Sequence, residues 1–221
     1  MDHEVKELVA RARQRTAERP YSNRFLDLLD NGALPVERLR QLAAELHRLV
    51  ASDRRSFTLL ASRFPESPAG DFYLTMAQGE GEALRLLSDF AAAVDVDQAA
   101  RRAHEPLPFA QVYPAYLAQV ALGGGSSAVA LALLANVAES GSTYRRVADA
   151  LQTRYGFSDE AVGHFRFFGE TPDELLDQAE AVVAHGLAAG EDPDEAVRTA
   201  RLVSVYESLF WDALAEGITE S

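Results

Sequence analysis

The chain has 221 residues, 48% of them apolar, a formal charge of -13 and no cysteine. A chain of this length buries on the order of 70% of its unfolded surface on folding, and the apolar share supplies the core. The acidity argues against a phosphate backbone or an anionic lipid surface as partner, since both call for clustered Lys and Arg; the lack of cysteine excludes disulfides, thiolate metal sites and a Cys nucleophile, and fits a reducing compartment.

The N-terminus, Met1-Asp2-His3-Glu4-Val5-Lys6-Glu7-Leu8, is charged from the start and has no apolar stretch of the secretory type. Helical periodicity then runs almost throughout, with no alternating strand pattern. Residues 3–18 read as a charged amphipathic helix ended by Pro20, and about 22–30 as a short helix with Ser22 as N-cap and Asn31-Gly32 as stop. Pro35, in a first turn, opens a long helix to about Phe64, with Leu39, Leu42, Leu46, Leu49 and Leu60 on its apolar stripe. The loop 65–70 breaks it.

A helix over about 71–94 follows, carrying Gly79 and Gly81, and then a polar link with Pro106 and Pro108 leads to a helix near 109–122. The run Gly123-Gly124-Gly125-Ser126-Ser127 ends that helix, and a serine caps the next, about 127–154. This last helix is the most apolar of the chain and so the most central. Its longest apolar run, 128–135 with Val137 and Ala138 beyond Asn136, is far short of the roughly 20 residues that span a bilayer. Ser158-Asp159-Glu160 caps a short helix ending near Phe168. Thr171-Pro172-Asp173-Glu174 and Asp192-Pro193-Asp194-Glu195 each open a helix with proline at its first position and acids in the first turn, the second running to about 216. The linkers are short and evenly spread, so the expectation is one all-α domain over residues 1–221, in the cytoplasm, with neither membrane nor direct nucleic-acid partners.

Four groups of side chains carry candidate chemistry. Glu207 shares a helix face with Val203, Phe210 and Trp211. A carboxylate there is either bonded at the edge of the core or buried, and burial raises its pKa and suits it to acid–base work. Asn136, Glu139, Ser140 and Thr143 form a polar stripe on the apolar helix, with Tyr144 directly after. Such a stripe lines a cavity or faces solvent near the helix end. Tyr113 and Tyr116 flank Pro114 as amphipathic phenols that either line a site or pack in the core. Glu45 can share a face with Ser52 and Leu49, whereas Asp53-Arg54-Arg55 reads as a solvated or ion-paired turn. Glu45 and His47 are two residues apart, which does not converge metal ligands on one helix face. His3, His104, His164 and His185 belong to no HExxH or ExxH pair, and there is no P-loop, GxSxG elbow or GxGxxG after a strand.

Three segments together resemble the TenA/Thi-4 proteins, the thiaminase II-like branch of the haem-oxygenase-like helical fold. They are Phe25-Leu26-Asp27 with Asn31-Gly32-Ala33-Leu34-Pro35 before a long helix, Tyr113-Pro114-x-Tyr116 before the apolar helix, and Tyr206-Glu207-x-x-Phe210-Trp211-Asp212 near the end. The resemblance implies a single-domain haem-oxygenase-like multi-helix bundle, a central pocket, and Glu207 as its catalytic glutamate. The family's cysteine falls near Asn136, in Leu133-Leu134-Ala135-Asn136, where an amide cannot act as nucleophile. Counting from Pro35, the family's pyrimidine-binding aspartate falls on Leu46, beside Glu45. Of the di-iron relatives' ligands, the His-x-x-x-Asp-x-x-His-like segment is missing from 168–175, and apart from His3 no histidine stands where haem would be ligated.

The combined expectation is a TenA-like protein that binds a small heteroaromatic or amine-type ligand. Glu207 is its proton carrier, and Asn136, Glu139, Ser140, Tyr113, Tyr116 and Glu45 are its ligand-binding side chains. No metal and no cofactor are expected, and the resemblance implies a homo-oligomer, dimer or tetramer. The alternatives are a non-catalytic binding or regulatory member of the same family and a metal-dependent oxidase of the same fold.

Overall fold

A computed structural model of the chain describes residues 3–18 and 21–218. Among these residues there is no strand, and the helices are α1 (His3–Ala17), α2 (Arg24–Asp30), α3 (Val36–Arg63), α4 (Ala69–Ala93), α5 (Gln98–Ala103), α6 (Val112–Gly123), α7 (Ser127–Tyr155), α8 (Gly163–Gly169), α9 (Asp173–Ala188) and α10 (Pro193–Ala215). A 3-10 turn, Pro108–Gln111, precedes α6. The helix α5 was not expected from the sequence. Pro20, the expected end of the first helix, lies outside the described residues.

Helix boundaries follow local chemistry, with corrections at several starts: Pro35 is the N-cap of α3 and not in its first turn, and α8 begins only at Gly163, beyond the expected Ser158 cap. Asn23, one residue after the expected Ser22, caps α2 by accepting from the Leu26 amide at 3.1 Å. Pro172 stands at the N-cap of α9 and not inside it, whereas Pro193 does occupy the first turn of α10 behind the Asp192 cap. Neither serine caps α7 with its own side chain. Instead Glu191 accepts from the amides of Ser126 and Ser127, at 2.7 and 2.9 Å, and from both hydroxyls. An external carboxylate thus satisfies the free N–H groups and faces the positive end of the helix dipole. At the other end, Gly156 takes φ +71°, the left-handed geometry that lets glycine close a helix. Gly70 permits the tight return from α3 to α4, because a Cβ there would lie 2.4 Å from the Pro65 carbonyl oxygen.

α7 is the central helix, packed by α1, α2, α8, α9 and α10, while α3 and α4 lie along each other. The bundle is a single all-α domain whose interior divides in two. One apolar cluster takes the first half of α3, the second halves of α4 and α7, and the end of α10. The other takes α1, the second half of α3, the first halves of α4 and α7, and the start of α10. Between them each long helix carries polar side chains at its middle: Asp53 on α3, Glu80 on α4, residues 136–143 on α7 and Glu207 on α10. The bundle has a polar waist.

Candidate functional site

A cleft of about 260 Å3 opens at this waist between α2, α7 and α10. Asn136, Glu139 and Ser140 line it from α7, with Glu207 and Trp211 from α10 and Tyr21 and Leu26 from the α2 side. These positions on α7 follow the expected polar stripe, and the stripe and Glu207 share one cavity. The Ser140 hydroxyl donates to Glu207 Oε1 at 2.9 Å. The Asn136 amide donates to the Ala200 carbonyl at 3.3 Å, leaving its own carbonyl oxygen uncommitted to that bond.

Glu207 lines the cleft and is partly buried there. That burial pushes its carboxyl up to about 7; the Ser140 bond opposes the shift and the charge of Glu139 adds to it. A carboxyl poised there exchanges protons near neutrality. Trp211 sits one turn further along α10 and packs against Tyr144 and Phe25 at ring distances of 5.8 and 5.5 Å.

Behind the cleft lies a second layer of ionisable groups. Asp53 is 3% exposed and its Oδ1 has no hydrogen-bond partner among the described residues. Burial pushes it up to about 8, against a hydrogen bond from the Tyr113 phenol, with the charge of Glu207 adding to the rise. Glu80 is 6% exposed and is held well above the usual carboxylate range, first by burial and then by Asp53. Tyr113 and Tyr144 feel all three carboxylates, and burial together with that charge raises both phenols. Among the described residues no basic side chain is hydrogen-bonded to Asp53, Glu80 or Glu207, and although the charge of Arg55 works against the rise at Asp53, all three hold their protons more readily than solvated acids do.

The expected ligand-binding residues therefore separate. Asn136, Glu139 and Ser140 meet Glu207 in the cleft. Tyr113 lies deeper, against Asp53. Tyr116 turns to α10, facing the Thr199 hydroxyl at 3.5 Å and the Tyr206 ring at 5.1 Å. Glu45 is a correction: it is fully buried and its carboxylate is committed to its own chain. It pairs with His104 Nε2 at 2.7 Å and accepts from the Leu107 amide at 2.7 Å and the Gln111 side chain at 2.6 Å, pinning the link that precedes α6 to α3. It does not line the cleft.

Asp53 and Glu80 are the functional candidates that the spacing argument passed over. Asp53 stands beside the charged Arg54 and Arg55, and Glu80 between Gly79 and Gly81. The legible signal was position. Asp53 interrupts the stripe Leu46, Leu49, Val50, Phe57 and Leu60, and Glu80 interrupts Phe72, Tyr73, Ala77, Ala83 and Leu87.

Among the described residues no three His, Cys, Asp or Glu groups converge as ligands. The one nearby histidine, His164, bonds through Nδ1 to the Ala83 carbonyl at 3.0 Å and is lowered by burial to about 4. The donor set does not fit a di-iron centre.

No family model and no curated protein matches the sequence. Solved structures do. A domain of unknown function with a haem-oxygenase-like fold from Shewanella denitrificans is 13% identical, with 98% of this chain and 93% of that one covered at a TM-score of 0.77. A TenA homologue from Pseudomonas syringae pv. tomato is 14% identical over 96% of this chain and 91% of that one, at 0.69. Another from Pyrococcus furiosus is 19% identical over 95% and 98%, at 0.66. The chain therefore has the helical fold of the TenA homologues, over essentially its whole length.

Proposed function

We propose that the protein is a TenA-like small-molecule-binding protein. Its ligand is a heteroaromatic or amine-type compound held in the cleft, and Glu207 carries a proton to or from it. The observation that supports this reading most is the pairing of Ser140 with a Glu207 carboxyl poised near 7 in a lined cavity. A basic ring nitrogen or an amine meets in Glu207 an acid that can give up or accept its proton at neutral pH. The stripe of Asn136, Glu139 and Ser140 offers acceptors and donors in the directions such a ring presents.

The chain has no cysteine, so the reaction is not a cysteine-dependent thiaminase step. A second reading, a non-catalytic binding or regulatory protein, is favoured by Asn136, whose amide stands where the resemblance sets the nucleophile. A thermal-shift screen of aminopyrimidines, thiamine fragments and quinones tests the cleft, and absence of a shift from every class argues against it. Comparing turnover of a hit by the parent and by Glu207→Gln then separates the two readings. Loss of turnover with binding retained supports the proton carrier; equal turnover removes it. The same proposal carries over a cytoplasmic location and a dimeric or tetrameric state, the latter checked by light scattering.

A further inference from the structure

On the other side of the waist, α4, α8 and α9 leave a groove of about 690 Å3, well within the range of small-molecule sites. Its walls are apolar, drawn from Met76 on α4, Leu133 on α7, Phe167 and Phe168 on α8 and Leu175 on α9. Gly79 adds to the space: a Cβ there would approach nothing closer than the Phe167 ring, at 3.8 Å. The groove shares no lining residue with the Glu207 cleft.

Its floor is polar and one-sided. Glu80 Oε2 and Gln178 Oε1 both belong to the lining, both are buried, and neither has a hydrogen-bond partner among the described residues. An unmet buried acceptor costs about 1–3 kcal/mol, and more when charged, so two in one cavity require a reason. The nearby cation does not supply it. Arg166 lines the rim but is engaged by Asp149 and by the Gln152 side chain, each at 2.7 Å. Glu170 and Glu174, exposed at the mouth, add further negative charge. Burial and Asp53 hold the Glu80 carboxyl well above the usual range, the behaviour of an acid with no cation of its own.

We propose that this groove is a second ligand site, independent of the Glu207 cleft, and that it takes a small amphipathic amine. The ammonium head bonds Glu80 and the Gln178 carbonyl oxygen, and the apolar body lies along Met76, Leu133 and Phe168. An ammonium carries three donors and no acceptor, the complement of the two unmet oxygens, Glu80 Oε2 and Gln178 Oε1. Its bond to a carboxylate is charge-assisted, and the apolar walls take the rest of the molecule out of water. A carboxylate-headed amphiphile brings no donor to these oxygens and sets a negative charge beside two acids that burial already keeps from ionising. An alcohol brings one donor and no charge.

Calorimetric titration of the full chain with n-octylammonium, n-octanol and octanoate tests the site. The expected result is saturable one-to-one binding of n-octylammonium, binding of the alcohol weaker by roughly tenfold or more, and no heat from octanoate. Glu80→Gln keeps the shape and removes the charge, and lowers ammonium affinity by roughly tenfold. Gly79→Leu fills the groove and abolishes binding, and it serves as the decisive variant if Glu80→Gln fails to fold. Glu207→Gln, in a cavity with a separate lining, lowers the affinity far less than Gly79→Leu does. Equal binding of octanoate or octanol overturns the proposal, as does full affinity in Gly79→Leu. A loss in Glu207→Gln as large as in Gly79→Leu moves the ligand to the cleft and overturns it too.

Discussion

The Ser140 hydroxyl donates to Glu207 across 2.9 Å, tying the middle of α7 to the middle of α10 at the wall of the cleft. The bond joins the two polar interruptions of two otherwise apolar helix faces, and both lie at the level of Asp53 and Glu80. Apolar clusters above and below hold the helices, so the waist between them tolerates groups that a continuous core would exclude. The cost of those groups appears as a dependence of stability on pH.

Asp53, Glu80 and Glu207 are all raised in the folded state, Asp53 from 3.8 to about 8 and Glu207 from 4.5 to about 7. A raised acid binds its proton more tightly when folded. Its contribution is complete below the unfolded pKa and is lost as pH rises through the folded value. Thermal unfolding is therefore expected to show a melting temperature that begins to fall above about pH 4 and keeps falling to about pH 8. Asp53→Asn keeps an oxygen for the Tyr113 phenol while removing the charge, and is expected to flatten that fall and to melt higher than the parent at pH 8.5. Equal destabilisation at both ends of the range would mean that Asp53 is paired as an anion.

Glu191 has the opposite sign. Its burial penalty is outweighed by the bonds from Ser127 and Ser126, which hold its carboxyl below the usual value. Its contribution is present above the unfolded pKa and lost as pH falls through the folded one. Glu191→Gln keeps part of the hydrogen bonding but loses the charge at the α7 N-terminus, an interaction of about 1 kcal/mol for a partly exposed group. As pH falls through the depressed folded pKa of Glu191, the variant and the parent are expected to converge in urea unfolding; a difference that persists in acid would locate the effect in packing.

Glu45 is expected to matter for folding and not for ligand. Glu45→Ala strands His104, the Leu107 amide and Gln111 in a buried setting, at a cost on the order of 3 kcal/mol. For a chain of this size each kcal/mol lowers the melting temperature by roughly 2–4 °C. The check is differential scanning calorimetry together with a titration of any cleft ligand. A large fall in melting temperature with unchanged affinity is the expected pair of results. An affinity loss without a stability loss would return Glu45 to the site.

The fold was legible because helix periodicity, capping and the close at Tyr206–Asp212 all agree, and consistency across those levels is what specifies a bundle. α5 escaped because six residues carry no periodic stripe, and Ser22 was preferred to Asn23 because both are good caps and only the chain path separates them. For the site, a polar stripe on an apolar helix singled out residues 136–143, but the stripe by itself fits a cavity wall and a solvent-facing edge equally. Single acids were harder. Glu45 and Asp53 both sit on the buried face of α3, and nothing local distinguishes one that meets three donors from one whose Oδ1 meets none. The donors to Glu45 come from 59 to 66 residues away, so its satisfaction is a tertiary fact.

Trp211 offers the direct test of Glu207, because it is the only tryptophan, lines the same cleft and follows Glu207 by one helical turn. Ionisation of the carboxyl changes the field at the indole, so emission is expected to titrate with a midpoint near the value of about 7 that burial gives Glu207. Glu207→Gln should remove the transition. Two further variants move it in opposite directions. Ser140 donates to the ionised form and so favours it; Ser140→Ala takes that bond away and raises the midpoint. Glu139 opposes ionisation by its charge, so Glu139→Gln lowers the midpoint. A nonspecific pH effect on the indole would survive Glu207→Gln and would not reverse between the other two. A midpoint in the ordinary carboxylate range would show Glu207 solvated in the folded protein, and would remove the proton carrier from the proposed function.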